Sequence, residues 1–359
     1  MRLVFVTQTV DAEDPVLGAT VAKLHGLAAR CDELVVLTDR TGLHDLPPNC
    51  VIRTFGAPTR LGRGVRYLRA LVPLLASRRP PDAVIAHMCP IYLVLAAPFT
   101  KLRRVPTIIW YTHWAVDRTL RLATALADVA LSVDTRSYPL DRPKVSGIGH
   151  GIDVAQFEAR TEWSSNGGAP LRLLALGRTS PTKAFDTVIK AVARLRREGV
   201  ELTLDIHGPS MTEEERGHRR ELHRLIEEER LGDAVRLLDP VSRVAVPDLM
   251  RSADAVVNTT LGQTAGGALD KVVYESAACA VPVLACNPHF DEFLADLPVE
   301  LRFRSADVED LARVIGAFAQ SEPAARAEAG LELRRRVETG HSVDSWADGV
   351  VATVRRLRS

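Results

Sequence analysis

The fold is decided by one stretch in the middle of the chain, LRLLALGRTSPTKAFDTVIKAVARL at residues 171–195. It begins with a mainly apolar run, passes through a short polar loop from Gly177 to Lys183, and ends with apolar residues three or four apart from Phe185 to Leu195. This order predicts a buried strand that leads into a helix. Such a unit, when repeated, builds a parallel sheet covered by helices on both faces.

Strand-like runs recur on both sides of this stretch and are separated by segments with helical spacing. In the first half they are Leu3 to Val6, Leu34 to Leu37, Val51 to Phe55, Ala83 to Ala86, Thr107 to Tyr111, Val129 to Val133 and Lys144 to Ile148. In the second half they are Leu171 to Leu176, Leu202 to Ile206, Val235 to Leu238, Ala255 to Asn258 and Val281 to Ala285. We therefore predict an α/β protein with two doubly wound, Rossmann-like parallel sheets.

The length and composition agree with two globular domains. The chain has 359 residues, of which 46% are hydrophobic, and domains usually hold roughly 100–200 residues. Its 46 basic and 45 acidic residues leave a formal charge of +1, which argues against a nucleic-acid partner bound through bulk charge. The five cysteines include no C-x-x-C pair, so free thiols in the cytoplasm are expected and a cysteine zinc site is not.

Two segments bear on membrane crossing and on the domain limits. The longest stretch without Asp, Glu, Lys or Arg, from Ala83 to Thr100, is interrupted by two prolines and predicts a strand followed by a helix instead of a membrane span. The small polar stretch from Trp163 to Pro170 is the expected linker. We predict domains at 1–160 and 170–340, followed by an amphipathic helix at 341–359 that packs back on the first domain.

The first candidate site is the loop after Leu176. Arg178 and Lys183 stand five residues apart between a strand and a helix, a pattern that suits a diphosphate, since Arg grips an oxygen pair and Lys acts as a point charge. The alternative is that they are two solvated charges.

The second candidate site runs from Gly266 to Val283. A glycine-rich loop opens a helix here, and the free amides of a helix N-terminus can bind an anion. Glu275 can accept hydrogen bonds from vicinal hydroxyls such as those of a ribose. The alternative is that Asp270 is a helix cap and Glu275 an exposed helix residue.

The third candidate is His113, in the segment Trp110-Tyr111-Thr112-His113-Trp114 after a predicted strand. At the carboxyl end of a strand it would face a ligand cleft. A structural role for a lone histidine is the alternative. The segment Gly147 to Gly151 lacks the Gly-x-Gly-x-x-Gly spacing of a dinucleotide site, and no metal-ligand pair appears.

Taken together, these clusters resemble the glycosyltransferase family 4 group, with the GT-B architecture of two facing Rossmann-like domains. The resemblance covers nearly the whole chain. It depends on Gly177-Arg178-x-x-x-x-Lys183, on Asp270-Lys271-x-x-x-Glu275-x-Ala277-x-x-x-x-Pro282-Val283, on Thr7-Gln8 and Asp14 to Gly18, on Trp110 to His113, and on Gly149 to Asp153 followed by Phe157.

The resemblance implies a retaining, metal-independent transfer of a hexose-type sugar from a nucleotide diphosphate donor, without a further cofactor. UDP- or GDP-linked donors are expected. Catalytic positions would be His113, against the transferred sugar, with Arg178 and Lys183 on the diphosphate. The donor-binding positions it implies are Gly18, Gly208, Val241, Gly267, Asp270, Lys271, Val272 and Glu275.

The sequence departs from the common family pattern at one position. That pattern has two glutamates with seven residues between them, and here Gly267 occupies the first position while Glu275 occupies the second. Asp270 stands where the pattern has glycine. We hypothesise that Asp270 takes over the contact of the missing glutamate with the donor sugar.

The acceptor is expected to be a hydroxyl of a natural product, a lipid or a glycan. Arg60, Arg63, Arg66 and Arg69 recur every three residues among apolar ones, which suggests peripheral contact with the inner face of a membrane or, alternatively, an ordinary solvated helix face. Two other functions stay open: a sugar-nucleotide epimerase of the same fold and a non-catalytic nucleotide-sugar binding protein.

Overall fold

The computed structural model describes residues 1–14, 17–113, 115–141, 144–163, 169–261 and 269–359. These residues form two compact units. Unit 1 comprises Met1–Asp153 and Gly340–Ser359 together with Leu269, and unit 2 comprises Val154–Gln263 and Asp270–Thr339. The predicted linker includes residues 164–168, which lie outside the described residues.

Unit 1 contains a sheet of seven strands in the part of the chain that the structure describes. The strands are β1 (Arg2–Val10), β2 (Glu33–Thr41), β3 (Cys50–Thr54), β4 (Ala83–His87), β5 (Thr107–Trp110), β6 (Val129–Ser132) and β7 (Val145–Gly147). Their order is β3-β2-β1-β4-β5-β6-β7, and every pair is parallel. The strand order therefore reverses between β1 and β4.

Helices connect four pairs of consecutive strands, as is usual for a parallel sheet. They are α1 (Ala19–Ala28), α2 (Arg60–Ala76), α3 (Pro90–Arg103) and α4 (Arg118–Leu126). The uncharged stretch from Ala83 to Thr100 forms β4 and most of α3, with Pro90 in the first helical turn, where its missing N–H costs no hydrogen bond. The prediction of a strand followed by a helix is confirmed.

Unit 2 repeats the arrangement with five parallel strands among the described residues. They are β8 (Leu171–Leu176), β9 (Leu202–His207), β10 (Val235–Leu238), β11 (Ala255–Asn258) and β12 (Val283–Ala285), in the order β10-β9-β8-β11-β12. The helices are α5 (Phe185–Arg197), α6 (Glu213–Glu228), α7 (Val246–Ser252), α8 (Lys271–Ala278), α9 (Val308–Gln320) and α10 (Pro323–Gly340). Here the order reverses between β8 and β11.

The last helix, α11 (Val343–Arg358), belongs to unit 1 and packs on α1. Its Trp346 is fully buried and meets Trp110 edge to face, with ring centroids 5.7 Å apart. Arg30, just after α1, pairs with Asp344 at 2.9 Å and with Asp348 at 2.6 Å. The aromatic contact and the ion pairs fix α11 on this unit.

Each strand-like run of the sequence corresponds to a strand of one of the two sheets. The predicted fold class, two doubly wound parallel-sheet domains, is confirmed. In such sheets ligands bind outside the carboxyl ends of the strands at the point where the strand order reverses. The candidate ligand sites are therefore the ends of β8 and β11 in unit 2 and of β1 and β4 in unit 1.

Candidate functional site

The loop after β8 depends on two close backbone approaches. Gly177 has φ +151°, and a Cβ on it would lie 2.9 Å from Cε of Lys183, so the glycine leaves room for that side chain. A Cβ on Gly208, after β9, would lie 1.7 Å from the carbonyl oxygen of Gly177. Both glycines are therefore needed where the ends of β8 and β9 come together.

Arg178 lies on this loop and pairs with a buried carboxylate. Its Nη1 is 3.2 Å from Oε1 of Glu215, whose side chain is 5% exposed, whereas that of Arg178 is 60% exposed. The other oxygen of Glu215 accepts hydrogen bonds from the amides of Met211 and Thr212 in a capping box that begins α6. Glu215 thus holds one nitrogen of the Arg178 guanidinium, while most of the Arg178 side chain stays exposed to solvent.

Lys183 forms a second ion pair, with Asp270. The ammonium contacts Oδ2 of Asp270 and also donates to Oγ1 of Thr260 at 3.3 Å. Thr260 and Asn258 both donate to the same carboxylate oxygen at 2.9 Å. Asp270 occupies the N-cap position of α8, but its side chain makes no cap hydrogen bond.

The environment of Asp270 acts on its pKa in two opposing ways. Burial raises the pKa, and the charge of Lys183 together with three hydrogen bonds lowers it more, so that the pKa lies below the usual value for an aspartate. Asp270 is therefore ionised at neutral pH, and it neutralises Lys183.

Glu275 is buried on α8 and is held by two cations. Its Oε1 lies 3.0 Å from Nζ of Lys271, one helical turn earlier, and 3.3 Å from Nη1 of Arg243. Arg243 stands in a one-turn helix before α7, and its guanidinium lies over the ring of Phe157 at 5.7 Å. Glu275 is therefore not the exposed helix residue of the alternative interpretation.

The other donor-binding positions of unit 2 lie around the same strand ends. Val241 is half-buried in the segment after β10, and Val272 is half-buried in the first turn of α8. The first hydrogen bond of that turn runs from the amide of Val273 to the carbonyl of Asp270 at 3.1 Å. Gly267 lies outside the described residues.

The two candidates of the first half both lie in unit 1. Gly18 precedes α1, and a Cβ there would lie 2.7 Å from the carbonyl oxygens of Ala12 and Asp14, so a larger residue would force this loop open. His113 is exposed after β5, and its Nδ1 accepts a hydrogen bond from the amide of Ala115 at 3.0 Å. It is therefore not a core histidine.

The arginines of α2 differ in their surroundings. Arg63 pairs with Asp39 at 3.0 Å, and Arg66 donates to the carbonyl of Gly56, whereas Arg60 and Arg69 are exposed. Arg60 and Arg63 line a cavity of about 1080 Å³ within unit 1. Apolar side chains of α2 and α3 line it as well, namely Leu61, Val65, Leu68, Ile91 and Leu95.

Sequence reasoning missed Glu215, Arg243, Asn258 and Thr260. The spacing Thr212-x-x-Glu215 is a capping-box signal that indicates the start of α6, but nothing local links Glu215 to Arg178.

Within the described ranges there is no cluster of three or more His, Cys, Asp or Glu side chains that could hold a metal ion. None of the described helices is long and apolar enough to cross a membrane.

Comparison with known proteins gives one family match and several relatives. Residues 170–321 match the family described as "Glycosyl transferases group 1". The D-inositol 3-phosphate glycosyltransferase 2 of Catenulispora acidiphila is 33% identical over 184 residues, which are 48% of this chain and 41% of that protein. The D-inositol 3-phosphate glycosyltransferase of Stackebrandtia nassauensis is 28% identical over 260 residues, which are 69% and 56% of the two chains. The chain thus spans about half the length of these relatives.

Solved structures extend the likeness to the whole fold. HepE of Anabaena, in complex with UDP and glucose, superposes with a TM-score of 0.71 at 18% identity over 99% of both chains. At this identity the likeness concerns the fold alone, and it confirms the GT-B fold. The family match thus concerns residues 170–321, and the structural likeness concerns the fold of the whole chain.

Proposed function

Because residues 170–321 match the group 1 glycosyl transferases and the chain has the GT-B fold, we propose that it transfers a hexose-type sugar from a nucleoside diphosphate donor to a hydroxyl group, with retention of configuration and without a divalent metal. The main support for this proposal is the position of two cations. Arg178 and Lys183 follow β8 at the switch point of unit 2, each anchored by a carboxylate. Two fixed cations there suit a leaving diphosphate.

The remaining residues of unit 2 are assigned to the nucleotide. Glu275 accepts hydrogen bonds from the ribose hydroxyls, while its ion pairs with Lys271 and Arg243 orient the carboxylate. The first amides of α8, around Lys271 and Val272, add to the anion site. Gly208 and Val241 flank the nucleoside. UDP and GDP are the favoured nucleotides, and in the proposed reaction a diphosphate oxygen takes the proton of the acceptor hydroxyl.

Unit 1 is assigned to the transferred sugar and the acceptor. His113 contacts the sugar, and the space that Gly18 leaves allows the backbone to approach the donor. The cavity beside α2 and α3 is the proposed acceptor site, because its apolar lining suits a lipid or natural-product acceptor and the exposed Arg60 at its edge suits an anionic group. Membrane contact through Arg60 and Arg69 would bring a lipid acceptor to this cavity.

The test is thermal unfolding of the full chain with UDP, GDP, ADP, dTDP and NAD. A ligand that binds only the folded state adds about 2.7 kcal/mol of stability at 100 times its Kd. We expect one nucleoside diphosphate to stabilise the wild type and to lose this effect in Arg178→Ala. The control is Arg197→Ala, an exposed arginine on α5 that pairs with Glu229. Stabilisation by NAD alone would contradict the proposal.

A non-catalytic nucleotide-sugar binding protein is the second candidate, and one observation favours it. Both proposed diphosphate cations are already paired with carboxylates, which weakens the field available to a leaving group. Release of nucleoside diphosphate from a bound sugar nucleotide separates the two functions. A transferase releases it slowly with water and faster with an acceptor, whereas a binding protein leaves the sugar nucleotide intact.

A further inference from the structure

Asn258, the last residue of β11, carries an unused hydrogen-bond acceptor. Its side chain is 3% exposed, and its Nδ2 donates to Oδ2 of Asp270 at 2.9 Å. Among the described residues its Oδ1 has no hydrogen-bond partner. A buried carbonyl without a partner is costly, and such groups are rare in folded proteins. This buried carbonyl lies at the switch point of unit 2, beside the residues assigned to the donor.

The orientation of this amide is determined by its neighbour. Asp270 is ionised because its pKa lies below the usual value, so both carboxylate oxygens only accept hydrogen bonds. If the amide of Asn258 were turned over, its carbonyl oxygen would face Oδ2 of Asp270, and two acceptors would repel each other. The NH₂ group must therefore face Asp270, and the carbonyl oxygen must face away from it.

The other polar groups of the cluster donate elsewhere. Lys183 donates to Thr260 and Asp270, and the hydroxyl of Thr260 donates to Asp270 at 2.9 Å. The hydrogen bonds that reach Asp270 in the described structure all end on Oδ2. Oδ1 of Asp270 receives none of these bonds but is not a buried atom without a partner, so the carbonyl of Asn258 is the buried acceptor of this cluster that the described residues leave unsatisfied. Asp270 serves to hold Lys183 and to orient Asn258.

An unpartnered acceptor selects the chemistry of its ligand. Phosphate oxygens of a nucleoside diphosphate are themselves acceptors and cannot satisfy a carbonyl, whereas a hydroxyl group can donate to it. We propose that Oδ1 of Asn258 accepts a hydrogen bond from a hydroxyl group of the transferred sugar and is a specificity-determining residue for the donor. This inference rests on the proposed function, and it assigns the sugar contact to Asn258 where the sequence had suggested Asp270.

The experiment compares fluorinated donors, since fluorine replaces a hydroxyl at similar size but cannot donate. Sugar nucleotides of glucose, galactose, mannose and N-acetylglucosamine are first ranked by calorimetric Kd, and each free hydroxyl of the tightest one is then replaced by fluorine. In the wild type we expect one analogue to bind about 3- to 10-fold more weakly than its parent, the usual effect of one neutral hydrogen bond.

The same pair of ligands is then measured on two variants. In Asn258→Leu the parent should bind more weakly, the fluorine penalty should vanish, and the Kd of the bare nucleoside diphosphate should stay within about twofold. Thr260→Val is the matched control, because it removes another hydrogen bond to Asp270 and leaves the carbonyl of Asn258 in place. Its fluorine penalty should persist.

Two results would overturn the inference. One is a fluorine penalty of equal size in the wild type and in Asn258→Leu. The other is the absence of a penalty at every position in the wild type, which applies even if the variant fails to fold. Failure of the proposed function looks different, because then no nucleoside diphosphate binds the wild-type chain at all.

Discussion

Lys183 and Asp270, 87 positions apart in the chain, form an ion pair at the carboxyl edge of the sheet in unit 2. The pair joins the loop after β8 to the start of α8, and two further bonds join the same loop to the segment after β11. The hydroxyl of Thr259 donates to the carbonyl of Lys183 at 2.6 Å, and the amide of Leu261 donates to the carbonyl of Thr182 at 2.9 Å. The proposed diphosphate lysine is thus also a structural link between two segments of the site.

Removing the cation should therefore destabilise the fold in a pH-dependent way. In the wild type the folded pKa of Asp270 is lowered, so its stabilising contribution is present above the unfolded value of about 3.9 and is lost as the pH falls through the folded pKa. In Lys183→Met the lowering by the lysine is lost while burial remains, so we expect that pKa to rise. We expect the free energy of unfolding to fall by about 3 kcal/mol at pH 7.5.

Urea unfolding at pH 7.5 and pH 5 measures this effect. The deficit of Lys183→Met should shrink at pH 5, since protonation removes the unpaired buried charge. The matched control is Lys190→Met, whose pair with Asp186 is exposed on α5 and should be worth less than about 0.5 kcal/mol at either pH. Equal deficits for the two variants would show that the Lys183 pair contributes no more than an exposed ion pair.

Glu275 should recognise the ribose hydroxyls of the nucleotide. If its carboxylate accepts hydrogen bonds from both hydroxyls, the wild type should bind a ribonucleoside diphosphate about 5- to 20-fold more tightly than its 2′-deoxy form, because a hydrogen bond to a charged group is lost. Glu275→Gln should bind both forms with nearly equal Kd. Calorimetric titration of UDP and dUDP, or of the guanine pair, gives the comparison, and a retained preference in the variant would exclude this role.

Gly208 should tolerate no side chain. A Cβ would overlap the carbonyl oxygen of Gly177 at 1.7 Å, so Gly208→Ala must separate the ends of β8 and β9. We expect a loss of more than about 2 kcal/mol in the free energy of unfolding, together with weaker nucleotide binding. Gly232→Ala is the control, since a Cβ there meets nothing within 4 Å. Urea denaturation of both variants should give clearly different midpoints.

Trp346 should anchor the last helix on unit 1. Trp346→Ala removes a fully buried indole that packs against Trp110 and Lys23, and we expect it to cost about 3–5 kcal/mol. Trp346→Phe keeps an aromatic ring and should cost less. Leu331→Ala, at a half-exposed leucine of α10, serves as the comparison in the same chemical denaturation series. A change below 1 kcal/mol in Trp346→Ala would mean that α11 is not firmly packed.

The two sheets were predictable from the sequence because strands buried on both faces are short apolar runs with little charge. The loop residues Arg178 and Lys183 were identifiable for a related reason, since they directly follow such a run. The partners of these residues were not identifiable. Glu215 and Thr260 reach the loop from other parts of unit 2, and Asn258 reaches Asp270. Contacts between distant segments leave no local pattern in a single sequence.

The role of Asp270 illustrates the same limit. Its position in the motif suggested a contact with the donor sugar, but periodicity does not report which neighbour a carboxylate meets. Only the fold brings Lys183 and Asn258 to the same oxygen and leaves the buried carbonyl of Asn258 without a partner among the described residues.

The return of α11 to unit 1 has a consequence for synthesis on the ribosome. The segment 154–339 emerges completely before Trp346 does, so unit 2 can fold while Trp110 in unit 1 is not yet packed against Trp346. A nascent chain arrested before residue 343 would carry an exposed apolar face on α1, which is a binding site for chaperones and a starting point for aggregation. The first unit of the chain to be made is thus the last to be completed.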